Sequence, residues 1–393
     1  MIDYGSVLSP TAVDLPQSAI RKFFDLLSTM DNVVGLTVGQ PDFPTPWHIR
    51  KAGIESLERS KTYYTSNSGT LELRAAISDY LLRRFGIAPY DPEKEIIVTV
   101  GGSEAIDISM RAVLVPGDEV IIPNPAFVCY EPLVRMTGAK PVIINTRLED
   151  KFKLTPEALK AAITPRTKLL VLPYPNNPTG AIMTAEELEG IAQVLRDTNI
   201  LILSDEIYAE MTFGKRHTSI VNIPGMREHT ILVSGFSKAY AMTGWRLGYL
   251  CAPRELTKHI LKLHQYAIMC APTTSQFAAV EAMQNGDADV EEMVAEYDRR
   301  RKYIYDGLKK IGLEVFEPEG AFYIWPKIGG FGLSSEEFCE RLLYEKKCAI
   351  VPGNAFGSCG EGFARISYAY SVKHITTALE RLGEFVEQLQ AAK

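Results

Sequence analysis

From residue 95 to 252 the chain alternates short, almost unbroken apolar runs with longer stretches whose apolar residues recur every three or four positions. The short runs are EIIVTV (95–100), EVIIPN (119–124), KPVIIN (140–145), KLLVLPY (168–174), NILILS (199–204), TILVSG (230–235) and LGYLCA (247–252). Each is rich in Ile, Val and Leu and lacks the in-out alternation of a half-exposed strand. Continuous apolar character marks strands covered on both faces, and hence a mostly parallel sheet inside helices. The intervening stretches, such as SEAIDISMRAVL (103–114), PEALKAAI (156–163) and TAEELEGIAQVLRDT (184–198), predict those helices. The last opens on a Thr N-cap with acidic residues in its first turn.

Past about residue 285 the pattern changes. A charged helical stretch, DVEEMVAEYDRRRKYIYDGLKKI (289–311), is followed by short strand-like runs, LEVFEP, AFYIWP, CAIVPG and FARISYA, and then a last helix. The expected fold is therefore α/β. A large domain (47–284) holds a mostly parallel seven-stranded sheet between helices. A smaller α+β domain is built from both termini (1–46 and 285–393), with a helix over SAIRKFFDLLSTM (18–30) packed into it. A length of 393 residues suits two such domains, and no internal repeat or low-complexity linker separates them.

Composition narrows the function classes. A balance of 42 basic and 48 acidic residues gives a net charge of −6, with no basic block of the kind that binds nucleic acid or anionic membranes. The one dense cluster, DRRRK (298–302), reads as a solvated helical face. The six cysteines and six histidines show no metal-ligand spacing, so no metal site is expected, and the cysteines read as thiols of a reducing compartment. The N-terminus has no signal-peptide pattern and no run reaches membrane-spanning length, which points to a cytoplasmic protein.

Candidate chemistry lies where a parallel sheet presents ligands, at strand C-termini and the helix starts after them. Gly101, Gly102 and Ser103 follow the first strand, either as a phosphate cradle or as a plain strand-to-helix turn. Asp205 ends NILILS, where its carboxylate either pairs with a buried cation or caps a helix. Lys238 lies in SGFSKAYAMTGWRLGY (234–249), with Arg246 eight positions on. Alone, Lys238 could be a solvated lysine and Arg246 one half of a surface ion pair. Asn177 in NNPTG (176–180) and Tyr208 offer neutral donors, and Phe127 is a ring that could stack or simply pack. Taken together, an amine, a forked cation, a strand-end carboxylate and a tight asparagine turn suit a phosphorylated aldehyde cofactor, pyridoxal phosphate.

In this order the motifs resemble the class I aminotransferases of the aspartate aminotransferase superfamily, from LTVGQPDFPTP (36–46) to FARISYA (363–369). The resemblance implies that Lys238 joins the cofactor's aldehyde and then moves the substrate proton. It also implies that Asp205 pairs with the ring nitrogen, and that Asn177 and Tyr208 bond the ring's phenolic oxygen. Phe127 would stack on the ring, and Gly102, Ser103, Ser237 and Arg246 would hold the phosphate. Arg365 would clamp the substrate carboxylate with backbone help from Gly39. Tyr64 would reach the phosphate in the neighbouring subunit of a homodimer. Two positions depart from the pattern. Gly235 stands where many relatives have a phosphate-binding serine, leaving Ser234 or Ser237 to compensate. Ser103 stands where some aspartate-specific relatives carry lysine.

The expected activity is ping-pong transfer of an amino group from an L-amino acid to a 2-oxo acid such as 2-oxoglutarate. Aspartate, an aromatic amino acid and a diaminopimelate-type donor all remain open. A carbon–sulfur β-lyase on the same fold is the rival within enzymes. A pyridoxal-phosphate-binding regulator would need a DNA-binding module, and no basic recognition helix is present. A nucleotide-dependent dehydrogenase would need a dinucleotide fingerprint, which is also missing.

Overall fold

The computed structural model describes residues 2–15 and 30–391. The expected helix over 18–30 falls, but for its last residue, outside them. Twelve strands occur among the described residues: β1 (Val34–Gly35), β2 (Ile96–Thr99), β3 (Glu119–Asn124), β4 (Lys140–Asn145), β5 (Thr167–Leu172), β6 (Leu201–Asp205), β7 (Thr230–Gly235), β8 (Gly248–Cys251), β9 (Tyr323–Ile324), β10 (Cys348–Ala349), β11 (Val351–Pro352) and β12 (Ala364–Ser367).

The seven apolar runs between 95 and 252 all become strands of one seven-stranded sheet, in the order β2-β8-β7-β6-β5-β3-β4. The sheet is parallel except for β8, which runs antiparallel to both β2 and β7. Successive residues of the central strands go to opposite cores. Val120, Leu169 and Leu203 pack with Ile106 of helix Gly101–Val113 and Ile260 of helix Arg254–Ala267. Their neighbours Ile121, Leu170 and Ile202 pack with Leu188 and Ile191 of helix Ala185–Leu195. All six strand residues are fully buried, and each such side chain contributes about 1.5–3 kcal/mol over its exposed state. Two-sided burial is why these strands read as continuous apolar runs.

Helix Ala185–Leu195 begins as expected at Thr184, whose hydroxyl accepts from Glu187 N–H while the Glu187 carboxylate accepts from Thr184 N–H. A second, antiparallel sheet has the order β11-β12-β9, and β1 pairs with β10 in parallel. The run LEVFEP forms no strand; only Val315 bridges to Pro326.

The basic cluster at 298–302 departs from its reading as a solvated face. Arg300 and Arg301 are buried in helix Asp287–Ile311. Arg300 donates to both Asp42 carboxylate oxygens at 2.8 and 2.9 Å and to Glu296 at 2.8 Å. Arg301 donates to Asp298 and Glu317. Burial of these cations is tolerated because each is met by two carboxylates, and two of the four, Asp42 and Glu317, come from outside the helix. Among the described residues no helix is long and apolar enough to cross a membrane.

Candidate active site

The parallel strands end along one edge of the large sheet, and because β8 is reversed, its beginning lies at that same edge. Gly248, the first residue of β8, pairs with Thr99 and with Gly235, the last residues of β2 and β7. That register brings Arg246, two residues before β8, to the start of helix Gly101–Val113. A cavity of about 430 Å³ opens at the edge. Gly39, Gly102, Ser103, Phe127, Asn177, Asp205, Tyr208, Ser237, Lys238, Arg246 and Arg365 all line it. Tyr64 does not; it stands 80 % exposed on the surface. Ser234 is also absent from the wall, and its buried hydroxyl donates to the Glu206 carbonyl at 3.2 Å.

Glycines let the backbone crowd here. Gly101 has φ +77, and a Cβ on it would meet Arg246 Nη2 at 2.8 Å. A Cβ on Gly248 would sit 2.5 Å from the Gly101 carbonyl carbon, and one on Gly235 would sit 2.9 Å from Gly248 Cα. The serine of many relatives therefore has no room at Gly235 unless this backbone shifts. The helix starts at Gly101 without a side-chain cap. Its first-turn N–H groups, with the positive end of the helix dipole, are thus left to a ligand. Arg246 donates to the Thr243 carbonyl at 3.0 Å and has no acidic partner among the described residues.

Three further charges face the same space. Lys238 Nζ donates to the Gly39 carbonyl at 2.6 Å. Burial, followed by the Arg365 and Arg246 cations, lowers its pKa to about 8, with Asp205 pulling weakly the other way. Asp205 has no cation in ion-pair range among the described residues. It accepts from Tyr130 Oη at 2.6 Å and from Ile207 N–H at 3.2 Å, and burial raises its pKa despite those bonds. The Ile207 bond is the turn-capping contact expected of an aspartate, but no helix follows it. Arg365, on β12, donates to Asn177 Oδ1 at 3.0 Å and to the Thr37 carbonyl at 2.7 Å. It has no carboxylate partner among the described residues, and its buried Nε has no partner at all. Its guanidinium lies between the rings of Tyr323 and Phe356, 4.5 and 4.8 Å from their centroids. A buried guanidinium stays charged, so this one calls for an anion that the described residues do not supply.

Among the wall residues that escaped the sequence reading are two tyrosines, Tyr130 and Tyr323. Tyr130 opens helix Tyr130–Met136 and its ring edge meets Phe127 at 6.0 Å. Only its spacing of three from Phe127, across a turn in which its N–H donates to the Phe127 carbonyl at 3.4 Å, could have pointed to it. Tyr323 sits in a run of apolar residues that reads as core.

Comparison with known proteins agrees with this geometry. The model of the family described as aminotransferase class I and II matches residues 31–382. A Bacillus subtilis protein named "Probable N-acetyl-LL-diaminopimelate aminotransferase" is 46 % identical, covering 97 % of this chain and 96 % of its own. An aspartate aminotransferase of Pyrococcus abyssi is 42 % identical over 94 % of this chain and 96 % of its own. The crystal structure of an aromatic aminotransferase from Pyrococcus horikoshii OT3 superposes with a TM-score of 0.89 at 41 % identity, covering 94 % of this chain and 99 % of that one.

Proposed function

The chain belongs to the class I and II aminotransferases, pyridoxal-phosphate-dependent transaminases, and from that premise we propose how its cavity works and on what. Pyridoxal phosphate brings an aldehyde, a ring nitrogen that can hold a proton, a phenolic oxygen and a phosphate dianion. Facing these are the Lys238 amine, a buried Asp205 carboxylate without a cation, the donors Asn177 and Tyr208, and a helix start beside Arg246. The residues present fit the group.

In this reading Lys238 holds the aldehyde carbon and Asp205 keeps the ring nitrogen protonated. Asn177 and Tyr208 donate to the phenolic oxygen, and Phe127 covers the ring. Gly102, Ser103, Ser237 and Arg246 hold the phosphate, with Ser237 rather than Ser234 standing in for the serine missing at Gly235. When bound, the cofactor supplies an electron sink that makes the substrate's Cα–H acidic. Arg365 takes the substrate carboxylate as a forked pair, with Gly39 lending its backbone, and so fixes which Cα bond faces the ring. Once the substrate amine has displaced it from the aldehyde carbon, Lys238 Nζ would take the Cα proton and pass it to that carbon, a task its lowered pKa of about 8 suits.

The observation that carries the reading is Arg365, a buried cation with no carboxylate partner and one unpartnered N–H among the described residues. The donor is an L-amino acid of the aspartate, aromatic or diaminopimelate type, and a 2-oxo acid, 2-oxoglutarate first among candidates, takes the amine in a second half-reaction. Both halves use one cavity and one lysine, which is the arrangement of a ping-pong enzyme. The working unit is a homodimer in the cytoplasm, with lobes at 47–284 and at 1–46 plus 285–393. Tyr64 supports the dimer, because it projects from a surface that also exposes Tyr63 (55 %), Tyr266 (88 %) and Met269 (45 %). The loop bearing it is pinned by Asn67 to the Met269 carbonyl at 2.8 Å and by Thr273 to the Tyr63 carbonyl at 2.7 Å.

Borohydride reduction of the purified holoenzyme should fix the cofactor to the peptide containing Lys238; fixation elsewhere overturns the assignment. A panel of amino donors against 2-oxoglutarate then identifies the substrate. Ammonia and pyruvate released from cystathionine without an acceptor would instead mark a carbon–sulfur lyase.

A further inference from the structure

Tyr323 touches both halves of the proposed site. It lies on β9 and is 1 % exposed. The Arg365 guanidinium sits 4.5 Å from its ring centroid, and its hydroxyl is 2.8 Å from that of Tyr208. The hydroxyl reaches this point only because residue 39 is glycine: a Cβ there would lie 2.4 Å from Tyr323 Oη. The same Gly39 offers its carbonyl to Lys238.

A phenol has one proton to donate. If Tyr208 spends its proton on a ligand oxygen, the proton between the two tyrosines must come from Tyr323. A hydroxyl that is itself receiving a hydrogen bond is a better donor, because the bonds polarise one another in a dry site. The ring acts separately, since a desolvated guanidinium gains most from an aromatic face when its position over that face is fixed.

We propose that Tyr323 is a positioning residue joining the carboxylate clamp to the ring-oxygen donor: its ring seats Arg365, and its hydroxyl points the Tyr208 hydroxyl into the cavity. This rests on the pyridoxal-phosphate reading above. It makes two separable claims about one side chain.

The test titrates the visible band of the bound cofactor against pH in wild-type holoenzyme, Tyr323→Phe and Tyr323→Leu, and measures KM for the amino donor in each. Tyr323→Phe keeps the ring and loses only the hydroxyl. Weaker donation to the ring oxygen should raise the band's pH midpoint by about 0.3 unit or more, with KM within about twofold of wild type. Tyr323→Leu should show the same midpoint shift and, in addition, a KM raised about tenfold. A Tyr323→Phe enzyme that titrates like wild type overturns the orienting role. A Tyr323→Leu enzyme whose KM matches that of Tyr323→Phe overturns the seating role. If wild-type protein binds no pyridoxal phosphate, the functional reading itself fails and this inference falls with it, an outcome distinct from either variant result.

Discussion

The Lys238 amine should titrate near pH 8 in the cofactor-free protein, some 2.5 units below an ordinary lysine at 10.5. Burial is the larger cause and the two arginines the smaller. The consequence is large at working pH. With a pKa of about 8, about a tenth of the molecules carry a neutral amine at pH 7; at 10.5 the fraction is about 3 in 10,000, a difference of about 300-fold. Only the neutral amine attacks an aldehyde, so this factor enters directly into the rate at which Lys238 can capture one.

Trace labelling with acetic anhydride across pH 6 to 11, read out by mass spectrometry on the Lys238 peptide, measures the midpoint without relying on catalysis. Two variants give the argument opposite signs. Arg365→Gln removes a cation that disfavours the protonated amine, so the midpoint should rise by about half a unit. Asp205→Asn removes an anion that favours protonation, so it should fall by a similar or smaller amount. Neither shift should match the effect of burial. A wild-type midpoint above about 9.5, or two variants that move it in the same direction, would refute the assignment of causes.

Tyr130→Phe leaves Asp205 buried with one bond fewer, and loss of a hydrogen bond to a charged group should weaken retention of pyridoxal phosphate about tenfold or more, measured by equilibrium dialysis. Retention equal to wild type would remove Tyr130 from any role in the site. Gly235→Ser restores the serine of many relatives but must force Gly248 Cα and the Leu247 carbonyl apart, from contacts of 2.9 and 3.1 Å with the new Cβ. It should destabilise the protein by about 1–3 kcal/mol in urea unfolding without tightening phosphate. Tighter cofactor binding at unchanged stability would show that the strands yield more readily than the packing implies.

What could be read in advance divides along the range of the interactions involved. Six of the seven strands were legible because burial on both faces writes itself into each run independently of its neighbours; the edge strand β4, with no buried residue, was legible from its β-branched residues alone. The capping box at Thr184 and Glu187 is equally local, spanning four residues. The reversal of β8 is not local. GYLC is as apolar as any parallel strand, and only its pairing with Thr99 and Gly235 shows the direction that delivers Arg246 to the start of helix Gly101–Val113. The basic cluster misled for the same reason: Arg300 is buried because Asp42, 258 positions away, comes to meet it, and no property of DRRRK encodes that partner. Tyr323 is the sharpest case. Its hydroxyl, the Gly39 backbone, the Tyr208 hydroxyl and the Arg365 guanidinium come from four separate segments, and nothing in its own segment points to the other three. Motif residues reveal themselves in sequence when the chemistry demands a particular side chain, as the proposed chemistry does of Lys238 and Asp205. Residues that hold those groups in place are chosen by shape, and shape exists only after the segments have met.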